Sequence, residues 1–254
     1  MRVLLSTIGS RGDVQPVVAL ALQLRELGQE VRICAPPDFR EWIGTLGIPF
    51  VPVGPEVCQT VAPSPPAAQA PPAPEQLRQL MEDTVAGQFE AITAAARGCD
   101  VLVAGMALQF ALHSVAEQMG IPYVYAAWCP ITLPSPHHAP PPLPSWAQPP
   151  ADGTADNRTL WIQDAKRWDD HFAAAINSNR EAAGLGRSPT CGATSSPTGH
   201  GWPPIRYWRH GRRPRNWMSS RRAPGFVRTR GNCPWSWRRS STPASHPSIS
   251  ASVV

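Results

Sequence analysis

Residues 1–16 read MRVLLSTIGSRGDVQP. An apolar strand pattern centred on Val3 to Leu5 runs directly into Gly9, Ser10, Arg11, Gly12 and Asp13, and apolar residues at helical spacing follow. A strand, a glycine-flanked loop and a helix in that order form the first βα unit of an open α/β sheet. Ligands of such sheets bind in the crevice beyond the carboxyl ends of the strands. Glycines in the loop let the backbone and small side chains approach a ligand closely. Asp13 is thereby held over the carboxyl edge of the sheet, which makes it the first candidate for a catalytic role. Its carboxylate also suits the N-cap of the first helix, where it would satisfy orphan backbone N–H groups. The two roles are compatible.

The same alternation continues downstream. Short runs rich in Val and Ile at residues 2–7, 30–35, 49–53, 100–104 and 122–127 read as strands. Helical patterns separate them at residues 14–27, 38–46, 75–97 and 106–119, and a last one covers 159–183. Gly28, Gly47 and Gly120 stand where helices stop. Strand and helix in strict alternation predict parallel pairing through right-handed crossovers, hence a Rossmann-like, doubly wound α/β sheet. Residues 54–74 and 129–155 break the pattern with Pro- and Ala-rich composition. Both follow strands and leave the sheet at the same carboxyl edge as Asp13, the position of binding loops.

The chain is made of two unlike pieces. Residues 1–186 hold all 18 Asp and Glu beside 11 Lys and Arg, a net charge of −7, whereas residues 187–254 hold 12 Arg, no acid and five of the ten Trp. The formal +5 of the whole therefore sums an acidic body and a basic tail. The body is long enough for one domain with a sizeable core. The tail, rich in Ser, Pro, Gly and Arg, shows no sustained apolar period and is expected to stay unpacked, because it cannot bury enough apolar area to offset its ordering entropy. Limited proteolysis should trim the chain to near Gly186. A resistant core reaching into residues 208–217 would contradict that boundary.

Other features narrow the chemistry. The apolar start ends too soon for a secretory signal, and no run approaches a membrane span, so a cytoplasmic protein is expected. Cys34, Cys58, Cys99 and Cys129 are scattered without a C-x-x-C pair, and His137 and His138 sit in a Pro-rich stretch without acidic neighbours, so no metal site is expected. The spacing of Gly9 and Gly12 does not match the G-x-G-x-x-G dinucleotide fingerprint. The Arg11-Gly12-Asp13 tripeptide has no adhesive meaning inside a βα loop.

The stretches MRVLLSTIGSRGDVQPVVALALQLRELGQEVRICAPPDF, IPFVPVG, SVAEQMGIPYVYAAWCP and NSNREAAGLG resemble the N-terminal, acceptor-holding half of GT-B glycosyltransferases. The nearest resemblance is to the bacterial group that glycosylates vancomycin-type glycopeptide aglycones in antibiotic biosynthesis, with sterol glucosyltransferases more distant. It implies a two-domain enzyme that moves a hexose from a UDP- or dTDP-sugar to an acceptor hydroxyl with inversion, the nucleotide sugar being a co-substrate and no metal or other cofactor being required. Inverting transfer needs one base to take the acceptor proton, and the resemblance puts that base at Asp13, in a helical first turn whose dipole favours an anion. Ser10, Arg11 and Gly12 would line the cleft facing the leaving diphosphate. The Pro-rich stretches would form the acceptor wall, with Trp128, Ile131, Leu133 and Trp146 as apolar contacts.

Beyond Gly186 the resemblance stops, and the tail reads as a frameshift. Reading Arg187 to Gly211 one nucleotide upstream with GC-rich codons gives VADVRGHVFTDRPWLAADPVLAPW, and the same shift later gives ELDVVQTGAWIRP and PVYIGFG, strings that resemble the family's continuation. The 254-residue chain is then expected to lack a donor domain and to be inactive alone. Two alternatives stand beside this reading. The tail could bind nucleic acid, its arginines meeting phosphates and its tryptophans stacking on bases, or the body could serve as a non-catalytic acceptor-binding module.

Overall fold

The computed structural model describes residues 1–57, 73–106, 108–141 and 155–189. Its strands are β1 (Arg2–Thr7), β2 (Glu30–Ala35), β3 (Phe50–Pro52), β4 (Val101–Gly105) and β5 (Tyr123–Ala126). All pair in parallel, in the order β3-β2-β1-β4-β5. The chain first winds outward from β1 through β2 to β3, then crosses to β4 on the other side of β1. That reversal between β1 and β4 is the topological switch point of a doubly wound sheet, confirming the expected fold class.

Among the described residues five helices cover the two faces: α1 (Arg11–Glu26), α2 (Arg40–Thr45, entered through a 3-10 turn at Pro37–Phe39), α3 (Pro74–Ala96), α4 (Leu112–Met119) and α5 (Asn157–Ala182). Successive strand residues point to opposite faces. Val3 and Leu5 of β1 join Val14, Val17, Val18 and Ile43 in one core under α1 and α2. Leu4 joins Val85, Phe89, Ile92, Leu112, Val115 and Ile176 in the other, under α3, α4 and α5. Burial on both faces explains why the strands read as continuous apolar runs rather than alternating ones.

Buried Arg180 ties α5 to α4. It donates from Nη1 to Ser114 Oγ at 3.0 Å and Glu117 Oε2 at 2.8 Å, and from Nε to the Gly186 carbonyl at 2.9 Å. The Arg180 guanidinium holds the Glu117 carboxyl below its ordinary value. Asn177 then pairs with both backbone groups of Ser188, accepting its N–H at 2.7 Å and donating to its carbonyl at 3.1 Å. Docking of the chain thus extends past Gly186 to Ser188, through backbone groups that do not depend on the side chain present.

Two helix starts differ from expectation. The first helix begins at Arg11, not at residue 14, with Ser10 rather than Asp13 at its N-cap. The fourth begins at Leu112, not at residue 106, because Met106 and Leu108 hold left-handed backbone angles, φ +62° and +64°, that no helix accommodates. The expectations for Trp146 and for the tail from residue 190 onward lie outside the described residues.

Candidate active site

Parallel register sets Thr7 of β1 beside Gly105 of β4. The loops that leave these strands therefore emerge side by side at the switch point, one carrying Asp13 and the other residues 106–111. Asp13 occupies the third position of α1 and reaches back over the turn before it. Its Oδ2 accepts the Ser10 N–H at 2.8 Å and the Ser10 hydroxyl at 3.2 Å. This is the carboxylate half of a capping box, satisfying a backbone donor that the helix leaves orphaned. Among the described residues no hydrogen bond reaches Oδ1, so one oxygen is fixed by the cap and the other is open to a proton. The side chain is partly buried, and the Thr7 hydroxyl braces the loop from below with a 3.4 Å bond to the Asp13 carbonyl.

Gly9 makes this arrangement possible. Its φ is +142°, and a Cβ there would stand 2.3 Å from Asp13 Oδ2 and 2.6 Å from its Cγ. Gly9→Ala should expel the carboxylate from the cap and destabilise the domain by about 1–3 kcal/mol, read as a lower urea midpoint. An unchanged midpoint would show that the carboxylate has another seat.

The remaining expected residues fall around the same edge with different roles. Arg11 donates from Nε to Gln15 Oε1 at 3.0 Å, and its guanidinium stacks over the Trp42 ring at 4.9 Å, a cation–π contact that anchors the start of α1 to α2. Gly12 is exposed in the first turn. Trp128, just beyond β5, packs against the end of β4: a Cβ on Gly105 would meet its Cη2 at 2.5 Å and Val17 Cγ2 at 2.9 Å. The indole therefore packs between the end of β4 and α1, bracing the helix that carries Asp13. Ile131 is 48% exposed and Leu133 half-buried. Their segment is fastened to α5, because Trp161 Nε1 donates to the His138 carbonyl at 2.9 Å and Asn157 Nδ2 to the Pro136 carbonyl at 2.9 Å. Those bonds make the described part of the Pro-rich stretch a fixed wall.

The sequence reading missed the loop on the other side of the crevice. Gln88 of α3, 2% exposed, donates from Nε2 to the Leu108 carbonyl at 3.0 Å and accepts the Phe110 N–H at 2.9 Å. This clamp holds the left-handed turn in place. Phe110 in turn stacks on Phe172 of α5, with ring centroids 4.2 Å apart. A buried carboxamide three-dimensionally opposite a loop carbonyl leaves no trace in spacing.

Residues 3–135 match the glycosyltransferase family 28 N-terminal domain. Glycosyltransferase GtfC and the vancomycin aglycone glucosyltransferase, both of Amycolatopsis orientalis, are 44% and 42% identical to the chain over 187 residues, covering 73% of it and 44% of each relative. The chain thus spans less than half the length of these relatives. Among solved structures, the glycosyltransferase SnogD from Streptomyces nogalater is similar at a TM-score of 0.43 and 22% identity, over 75% of this chain and 43% of that one. With a parallel sheet, a carboxylate at its switch point and a family match over more than half its length, the chain belongs to glycosyltransferase family 28, whose N-terminal domain it carries.

Proposed function

We propose that residues 1–186 are the acceptor-holding half of an inverting glycosyltransferase that moves a hexose from a UDP- or dTDP-sugar to a hydroxyl of a natural-product or lipid acceptor, a glycopeptide aglycone or a sterol. The observation that carries this reading is the divided use of the Asp13 carboxylate. Oδ2 is spent on the capping bonds from Ser10, while Oδ1 meets no donor among the described residues. In the proposed step the acceptor oxygen forms its bond to the anomeric carbon as the bond to the phosphate oxygen breaks. The electron pair leaves with the diphosphate, and the acceptor proton passes to Oδ1. Ser10, Arg11 and the Gly12 backbone would steady the developing negative charge, so that no metal is needed for it. Trp128 would then act mainly by holding α1 in place, with Ile131 and Leu133 touching the acceptor.

A supply of nucleotide sugars for the proposed reaction supports a cytoplasmic reading; separately, no described helix is long and apolar enough to cross a membrane. Residues 187–254 we read as translated out of frame. The matched length of 187 residues in the relatives supports this, since it is close to the length of the stretch that holds every Asp and Glu of the chain. Resequencing the gene across codon 187 in independent isolates tests it, and an intact frame throughout would overturn it. The acceptor reading has its own test in calorimetric titration of the chain with glycopeptide aglycone and with a sterol. Saturable binding of one of them is expected, and failure to bind either would contradict the reading.

A further inference from the structure

The loop after β4, which leaves the sheet beside the Asp13 loop, holds a buried polar group with no part in the transfer step described above. Gln109, in the loop after β4, is 6% exposed, and among the described residues neither its Nε2 nor its Oε1 has a hydrogen-bond partner. Buried polar atoms are almost always paired, and an unmet donor or acceptor costs the fold its full desolvation penalty. A buried glutamine at this place need not bear that cost, because Gln88 of α3 is more deeply buried and is satisfied at both atoms by the backbone on either side of Gln109. The same loop carries backbone strain at Met106 and Leu108, whose φ of +62° and +64° are values that bulky L residues rarely adopt. Strain and unmet polar groups persist together where the surrounding structure enforces them, and they gather at ligand sites. Here they stand at the switch point, beside the loop that holds Asp13.

We propose that the Gln109 carboxamide is an acceptor-recognition group, pairing with an amide of a peptide-type acceptor in this crevice. The assignment rests on the acceptor-holding reading above. A primary carboxamide offers an N–H and a C=O side by side, which match the C=O and N–H that one residue of an extended peptide presents on the same side from two successive amides. A glycopeptide aglycone is a chain of amides, whereas a sterol offers one hydroxyl on a hydrocarbon frame. The Gln109 group is already stripped of water, so the pairing requires no further desolvation on the protein side, and an acceptor lacking the amide leaves the group unmet.

The test is equilibrium binding of vancomycin aglycone, and separately of cholesterol in detergent, to the 254-residue chain and to Gln109→Leu and Gln109→Met, with a thermal melt of each protein. Loss of the paired bonds should weaken aglycone binding about tenfold or more in both variants. Cholesterol should bind the variants no more weakly than the wild type. The melting temperature should hold or rise, since two unmet buried atoms are gone. Equal aglycone affinity in wild type and variants would overturn the assignment, as would a fall in melting temperature accompanying the fall in affinity, which marks a structural role. Failure of the wild type to bind either compound would instead defeat the acceptor reading itself, and the assignment with it.

Discussion

In a complete two-domain enzyme with residues 1–186 as its N-terminal half, Asp13→Asn is expected to lower turnover about 10²–10⁴-fold, the usual cost of losing a general base, with acceptor affinity nearly unchanged. The reason lies in how the carboxylate is used. An asparagine oxygen still accepts the Ser10 N–H and hydroxyl that Asp13 Oδ2 accepts at 2.8 and 3.2 Å, so the turn above α1 keeps its cap. The amide nitrogen then takes the place of Oδ1 and presents a donor where a proton has to be received. Steady-state kinetics with a varied acceptor separate the two effects: kcat falls and KM holds. If turnover is unchanged, Asp13 serves the helix only, as a capping residue.

The second large effect is an absence. Supplied with nucleoside-diphosphate glucose and either aglycone or sterol, the 254-residue chain alone is expected to yield no glycosylated product by mass spectrometry. Transfer depends on holding donor and acceptor in register across a cleft, and such orientation can supply about 7–11 kcal/mol of the barrier. On the proposed reading the described residues supply one wall of that cleft, with Asp13 and the loop after β4 on it. Residues 187–254 bring 12 arginines and not one carboxylate to position a sugar. Product above a no-enzyme control would show that one wall suffices.

Much of this was legible in the primary structure, for identifiable reasons. The strands were readable because both faces of a parallel sheet are buried, so Val3, Leu4 and Leu5 all had to be apolar. The position of Asp13 at the sheet edge was readable because it follows a strand and a loop carrying Gly9 and Gly12. Its place in the helix was not: Ser10 and Asp13 are both good capping residues, Gly12 is a poor helix former, and only the hydrogen bonds show that the helix starts ahead of it. Trp128 could be marked as an apolar residue at the sheet edge, but its seat depends on the absence of a side chain at Gly105, distant in sequence. The loop after β4 was misread as helix because Met106, Leu108 and Phe110 continue an apolar pattern, and no residue type announces φ above zero outside glycine. Gln109 lay inside that misreading. An unmet amide is a property of what surrounds it, and only the folded arrangement of α3 and β4 separates it from the satisfied Gln88.

The central claim is that residues 1–186 hold and activate the acceptor for sugar transfer. It is tested most directly by joining them to the C-terminal half of the Amycolatopsis orientalis vancomycin aglycone glucosyltransferase and measuring hexose transfer to the aglycone. The predicted result is product from the chimera and loss of nearly all of it in Asp13→Asn. The contradicting result is no product from a chimera that binds both nucleotide sugar and aglycone, while the same donor half with its own N-terminal partner transfers normally.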